Sequence, residues 1–265
     1  MRKWHFILFF IILISFLGVC KKNETQKPEQ ILGTRYSRFD QYIYSRAGSS
    51  KKADKVALVY ALEEVTGLEV VEEKKTQYLK LKTVTGKEGY APFKNFTEGV
   101  WFVVKEGANA FRKPTPTAGT KGKLNVGSIC FIEEEQADWV NARCLSAHIK
   151  DGELEDWNDV WIQPSEAYFS KDPLIGQTAL LIREATKLLL KTDSFGPDHD
   201  SLMSKAKEKL TAAYEKDDIY KDYIIKLAEE KKIYFSNQGE AGIQQPQNNQ
   251  GYPQENNQPY NPNQY

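Results

Sequence analysis

Gly127-Ser128-Ile129-Cys130-Phe131-Ile132 runs into a cluster of charge, and Asp138-Trp139-Val140-Asn141-Ala142 leaves it. Two short segments rich in apolar, β-branched and aromatic residues, divided by a polar turn, have the pattern of a strand hairpin. A turn centred on Ala137 sets Cys130 opposite Cys144 and Ile132 opposite Ala142. Upstream, Ala108-Asn109-Ala110-Phe111-Arg112 supplies one flanking strand, and downstream Val160-Trp161-Ile162-Gln163-Pro164 supplies another.

The same order occurs once before. Val56-Ala57-Leu58-Val59-Tyr60, Leu68-Glu69-Val70-Val71-Glu72 and Tyr78-Leu79-Lys80-Leu81 precede a turn at Gly86-Lys87-Glu88-Gly89, which leads into Tyr90-Ala91-Pro92. Gly67 and Gly127 are 60 residues apart and Tyr78 and Trp139 are 61 apart. That near-constant spacing predicts an internal repeat, with residues 148–159 inserted ahead of the last strand of the second copy. The segment Arg35-Tyr36-Ser37-Arg38-Phe39-Asp40-Gln41-Tyr42-Ile43-Tyr44 interleaves aromatics with arginines. It reads as an extended stretch packed on the first copy, the alternative being a surface that contacts glycan or membrane.

Each copy resembles the bacterial SH3-like barrel. The resemblance rests on a Gly ahead of a hydrophobic strand, a charged hairpin, an aromatic opening an alternating strand (Tyr78, Trp139), a closing aromatic strand, and the segment Asn109-Ala110-Phe111-Arg112-Lys113-Pro114. It implies ligand grooves lined by exposed aromatics: Tyr60, Tyr78 and Tyr90 in the first copy, Phe111, Trp139 and Trp161 in the second.

Beyond Lys171 the apolar period lengthens from two toward 3.6. Asp172-Pro173 is a helix start, and Leu174, Thr178, Leu181, Ala185 and Leu188 fall on one face with Ile175, Ile182 and Leu189 beside it. A second helix begins near Asp200-Ser201 and carries Leu202, Ala206, Leu210 and Ala213; a third carries Tyr220, Tyr223, Ile224 and Leu227. Residues 238–265 hold eight Gln, six Asn, four Pro and three Tyr with Ile243 as the one large aliphatic residue, too little apolar surface to fold.

At the other end, Arg2 and Lys3 precede an apolar run from Phe6 to Leu17, then Leu17-Gly18-Val19-Cys20 and Lys21-Lys22. This is the layout of a secretory leader, and the run is shorter than the ~20 residues that span a bilayer. LGVC resembles the bacterial lipobox, which implies acylation, palmitate included, at Cys20 and a chain held on the exported side of a cell membrane or outer membrane. An uncleaved anchor and simple secretion are the alternatives. In such an oxidising setting Cys130 and Cys144 form a disulfide, the alternative being two buried thiols.

The expected architecture is mainly β in the N-terminal part, as two small SH3-like barrels, followed by an all-α helical hairpin or three-helix unit and a disordered tail. The expected boundaries are a leader over 1–19, a polar tether over 20–53, barrels over 54–100 and 101–170, helices over 171–237 and tail over 238–265.

Composition narrows the function. Lys plus Arg and Asp plus Glu are each 36, without the basic excess that a nucleic-acid backbone requires. Beyond the leader only His148 and His199 remain, both cysteines past Cys20 are expected to pair, and no Gly-rich phosphate loop or Ser-containing elbow is present. Asp198-His199-Asp200 stands where a helix cap is expected, and the acidic residues of 151–159 lack calcium-loop spacing. The expectation is therefore no enzyme, no metal and no cofactor. The protein would be an envelope lipoprotein binding peptidoglycan or a protein partner. An adhesin contacting host components, or an accessory subunit of a wall-remodelling enzyme, are the alternatives.

Overall fold

The structure, a computed structural model, describes residues 31–48, 53–165, 167–192 and 197–235. The leader, Cys20 and the Gln/Asn-rich tail lie outside the described residues. Seven strands form a first antiparallel sheet: β1 (Gly33–Ser37), β2 (Gln41–Tyr44), β3 (Lys55–Val59), β4 (Glu64–Glu73), β5 (Thr76–Thr83), β6 (Glu88–Pro92) and β7 (Phe96–Thr97), in the order β3-β2-β6-β5-β4-β1-β7. A second sheet contains β8 (Gly99–Val103), β9 (Asn109–Phe111), β10 (Thr120–Lys123), β11 (Ile129–Gln136), β12 (Trp139–Leu145), β15 (Trp157–Ile162) and β16 (Phe169–Ser170). Its order, β10-β9-β15-β12-β11-β8-β16, repeats the first strand for strand. The extra hairpin, β13 (Ile149–Lys150) with β14 (Glu153–Leu154), is the insertion.

Two expectations need correction. The first sheet begins at Gly33 rather than near residue 54, because β1 and β2 come from the stretch assigned to the tether and pair with β4 and β6. Gly33-Thr-Arg-Tyr-Ser has no aliphatic residue, so its composition resembles a linker, whereas its counterpart Gly99-Val-Trp-Phe-Val is apolar throughout. The alignment of Gly67 with Gly127 is also out of register. Gly67 lies opposite Leu81 ahead of a bulge, and Ile132 lies opposite Ala142 ahead of the matching bulge. The partner of Gly127 in the first copy is Leu62: Gly127 donates to the Val103 carbonyl at 2.9 Å and Leu62 donates to the Ser37 carbonyl at 2.8 Å. Both adopt a left-handed backbone, φ 80° and 65°.

Three helices follow, α1 (Pro173–Thr192), α2 (His199–Lys216) and α3 (Lys221–Glu230). Asp172 starts α1 by accepting the Leu174 N–H at 2.8 Å, satisfying a donor that the first turn leaves free. Leu174 is exposed, and the buried face of α1 runs through Ile175, Ala179, Ile182, Ala185 and Leu189. The helices are not a separate unit with its own closed core. Ile175, Ala179, Ile182, Tyr220 and Ile224 share one core with Val100, Phe102, Ile129 and Phe131, the outward residues of β8 and β11. The inward residues Trp101, Val103, Cys130 and Ile132 belong to the core inside the sheet. Burial of both strands on both faces explains why their sequences are continuously apolar. The first sheet closes over its own core of Ile43, Val59, Val65, Leu79, Leu81 and Ala91.

Polar contacts fix the helices to the sheet. The Arg183 guanidinium grips Asp156 of the insertion with two bonds, 2.7 and 2.8 Å, and also donates to the Ser146 carbonyl. Asp156 in turn accepts the Ser146 N–H at 2.9 Å. Part of the acidic insertion is therefore a clasp rather than a wholly solvated loop. Tyr220 donates to the Val103 carbonyl and Tyr223 to the Ala147 carbonyl, each at 3.2 Å. Burial, with Asp217 adding, raises the Tyr220 hydroxyl well above its ordinary pKa, and burial followed by Glu230 pushes Tyr223 up to about 12.

Candidate aromatic faces

Opposite residues in an antiparallel pair share a sheet face, as do residues two apart on a strand. In the first sheet Tyr44 of β2 is opposite Tyr90 of β6, and Tyr90 is opposite Lys80 of β5. Tyr78 lies two residues before Lys80, and Tyr42 two before Tyr44. Ile43, Leu79, Leu81 and Ala91, the alternate residues, are fully buried in the core. Four tyrosines therefore cross three adjacent strands on the face turned away from the core. Gly89 permits the close approach of β2 to β6: a Cβ there would lie 3.0 Å from Ile43 and from the Tyr44 carbonyl.

The second sheet repeats this arrangement with larger rings. Phe111 of β9 is opposite Trp161 of β15, Trp161 is opposite Asn141 of β12, and Trp139 lies two residues before Asn141. The cross-strand polar pair is repeated too. Lys80 and Glu88 stand 3.8 Å apart in the first copy, and at the corresponding positions Asn141 donates to Asp159 at 2.8 Å in the second.

The copies differ in openness. Tyr42 is 42% exposed, and Tyr44, Tyr78 and Tyr90 are half-buried. Trp139, met edge-on by Phe111 at 5.0 Å between ring centres, is only 8% exposed. Asn141 beside it is buried as well. The difference lies in Trp139, which is buried where Tyr42 at the edge of the first row is exposed, while Phe111 and Trp161 are half-buried like Tyr44, Tyr78 and Tyr90. Lys55 adds an ammonium 4.0 Å from the centre of the Tyr42 ring, a cation–π contact.

Five of the six aromatic residues expected to line grooves, Tyr78, Tyr90, Phe111, Trp139 and Trp161, fall on these faces. Tyr60 does not: it follows β3, is 59% exposed, and stands at a cleft between the two sheets. Its place is taken by Tyr44, with Tyr42 extending the row. The alternation Tyr42-Ile43-Tyr44 was the available signal, but its position ahead of the repeat obscured it.

Cys130 and Cys144 are opposite residues on β11 and β12, both fully buried, and their sulfurs are bonded. The bond locks the strand carrying Trp139 to the strand that α1 covers. His148 is exposed, and His199 Nδ1 lies 3.1 Å from the Thr192 carbonyl. No helix among the described residues is long and apolar enough to cross a membrane.

Fold and faces together define a two-repeat antiparallel β protein with a helical unit docked on its second repeat. The sequence profile of the family described as Lipoprotein LenA matches residues 6–222. The chain belongs to this family of bacterial lipoproteins. No curated protein matches the chain.

Proposed function

We propose that the chain is a non-enzymatic binding lipoprotein of the bacterial envelope, acylated on Cys20 after removal of residues 1–19. Its two repeats are SH3-like barrels, and the tyrosine face of the first takes an extended envelope polymer, the glycan strand of peptidoglycan. The observation that carries the reading is the row Tyr42, Tyr44, Tyr90 and Tyr78 across β2, β6 and β5. Neighbouring strands are roughly 5 Å apart, so the row is a platform on the order of 10 Å wide. Tyrosine suits a ligand with alternating apolar and polar surface, because its ring stacks while its hydroxyl bonds. Lys55, Lys80 and Glu88 border the rings and supply partners for hydroxyl, amide and carboxylate groups. Acyl chains at Cys20 hold the protein at the membrane, each buried methylene adding about 0.8 kcal/mol.

The test is co-sedimentation of the detergent-solubilised full chain with purified sacculi, beside a Tyr42→Ala, Tyr90→Ala double variant and a Trp161→Ala variant. Pelleting of the parent, lost with the tyrosines and kept without Trp161, is expected. Equal pelleting of all three would remove the tyrosine face from the reading. No pelleting of folded parent would replace the glycan with a protein ligand, and protease treatment of intact cells would then ask whether that ligand is met outside the cell.

A further inference from the structure

A cleft of about 430 Å³ opens where the two repeats and the start of α1 meet. We propose that it binds a cationic side chain, a lysine ammonium or an arginine guanidinium, presented by a polypeptide partner. The site is distinct from the tyrosine face and does not depend on that reading. Its volume is in the range of cavities that hold a small ligand.

Two features select a cation. The first is charge: among the described residues, Glu63, Glu98 and Glu135 line the cleft against one cation, Lys171. Glu98 is already paired with Arg35 at 2.7 Å. Glu63 is held in place by the Tyr60 N–H, which it accepts at 2.9 Å, and neither Glu63 nor Glu135 forms an ion pair among the described residues. The second is the aromatic lining. Tyr36, Tyr60, Trp101 and Phe102 contribute to the walls, and Tyr60 stands largely in solvent at the mouth. Ring faces attract cations, more strongly where water is partly excluded. The cleft's own residues already use this contact: the Lys171 ammonium lies 4.9 Å from the centre of the Trp101 ring. A long aliphatic stem ending in charge is the side chain that meets apolar walls and carboxylates together.

The test uses the full chain in detergent with capped lysine (Nα-acetyl, methylamide) and capped arginine as probes, and capped norleucine as the uncharged counterpart. Ligand-observed saturation-transfer NMR reads binding. Saturable binding of the charged probes, roughly millimolar for one side chain, is expected, with norleucine at least tenfold weaker. The double variant Glu63→Gln, Glu135→Gln and the single variant Tyr60→Ala, each with unchanged circular dichroism, should weaken lysine binding fivefold or more. Equal binding of norleucine, no saturable binding of either charged probe, or no effect of both variants would overturn the proposal. Butylammonium binding tenfold tighter than capped lysine would overturn the polypeptide source and assign the cleft to free amines. Sacculus binding through the tyrosine face is read separately, so failure of either result leaves the other intact.

Discussion

At Gly176 the first helix comes so close to the second sheet that a Cβ would lie 2.2 Å from the Phe102 ring. A methyl group there must displace the helix or the ring, so Gly176→Ala is expected to destabilise the protein by about 1–3 kcal/mol, read as a lower urea midpoint at unchanged slope. A different cause acts at Gly127, where an added Cβ meets ordinary contact distances but the backbone is left-handed. Gly127→Ala should cost about 1 kcal/mol. Leu62, held in the same conformation at the corresponding place, tolerates it because its side chain packs against the shared core. The Cys130–Cys144 bond closes a separation of 14 residues, for which chain entropy gives about 3 kcal/mol. Cys130→Ala with Cys144→Ala should lower stability by that order. An unchanged urea midpoint would mean that the bond contributes nothing to the folded state.

Among the elements, α3 and the residues just before it tie the helices to the sheet through two buried phenols. Tyr223 is pushed up to about 12 and Tyr220 is raised further, from an ordinary value of 10.0. A pKa raised in the folded state means that above pH 10 the unfolded chain loses its phenolic protons first. The stabilisation is full below pH 10 and is lost as pH climbs through 12. Stability should therefore fall steeply between pH 10 and 12, with tyrosinate absorbance appearing as the helical circular dichroism declines. Tyr223→Phe should flatten that fall; an equally steep one would mean that Tyr223 is not the group responsible. The sequence expressed the elements unevenly. The hairpin of β11 and β12 was legible down to its cysteine pairing, since alternation and a central turn determine which residues face each other. The stretch 35–44 was legible as extended and packed on the first copy, but not as two strands of its sheet, because β1 contributes Arg35, Tyr36 and Ser37 with no aliphatic signal. Tyr42 and Tyr44, read as part of that packed stretch and not as groove residues, complete the row with Tyr78 and Tyr90 because β2 pairs with β6.

At the scale of the whole molecule, the helices account for a difference between two repeats of identical topology. Val100, Phe102, Ile129 and Phe131 point away from the second sheet's own core and share a buried core with the helices. Contacts from the first repeat reach the same region: Tyr36 and Leu62 pack against that core, and Arg38 bonds Glu133 at 2.9 Å beside the Phe131 ring. No periodicity in the sequence reveals that two apolar faces belong to each other, which is why the helices read as a unit of their own. Ending the chain after residue 170 would expose four large apolar side chains on adjacent strands, a patch of the kind that drives association. The truncated protein is expected to elute as oligomers in size-exclusion chromatography with light scattering, and the same truncation carrying Phe102→Lys and Phe131→Glu to elute as a monomer. If the unmodified truncation is monomeric and melts at the temperature of the full chain, the helices are passengers and the shared core carries no stability. Oligomers rescued by the two polar substitutions would instead make the second repeat and the helices one folding unit.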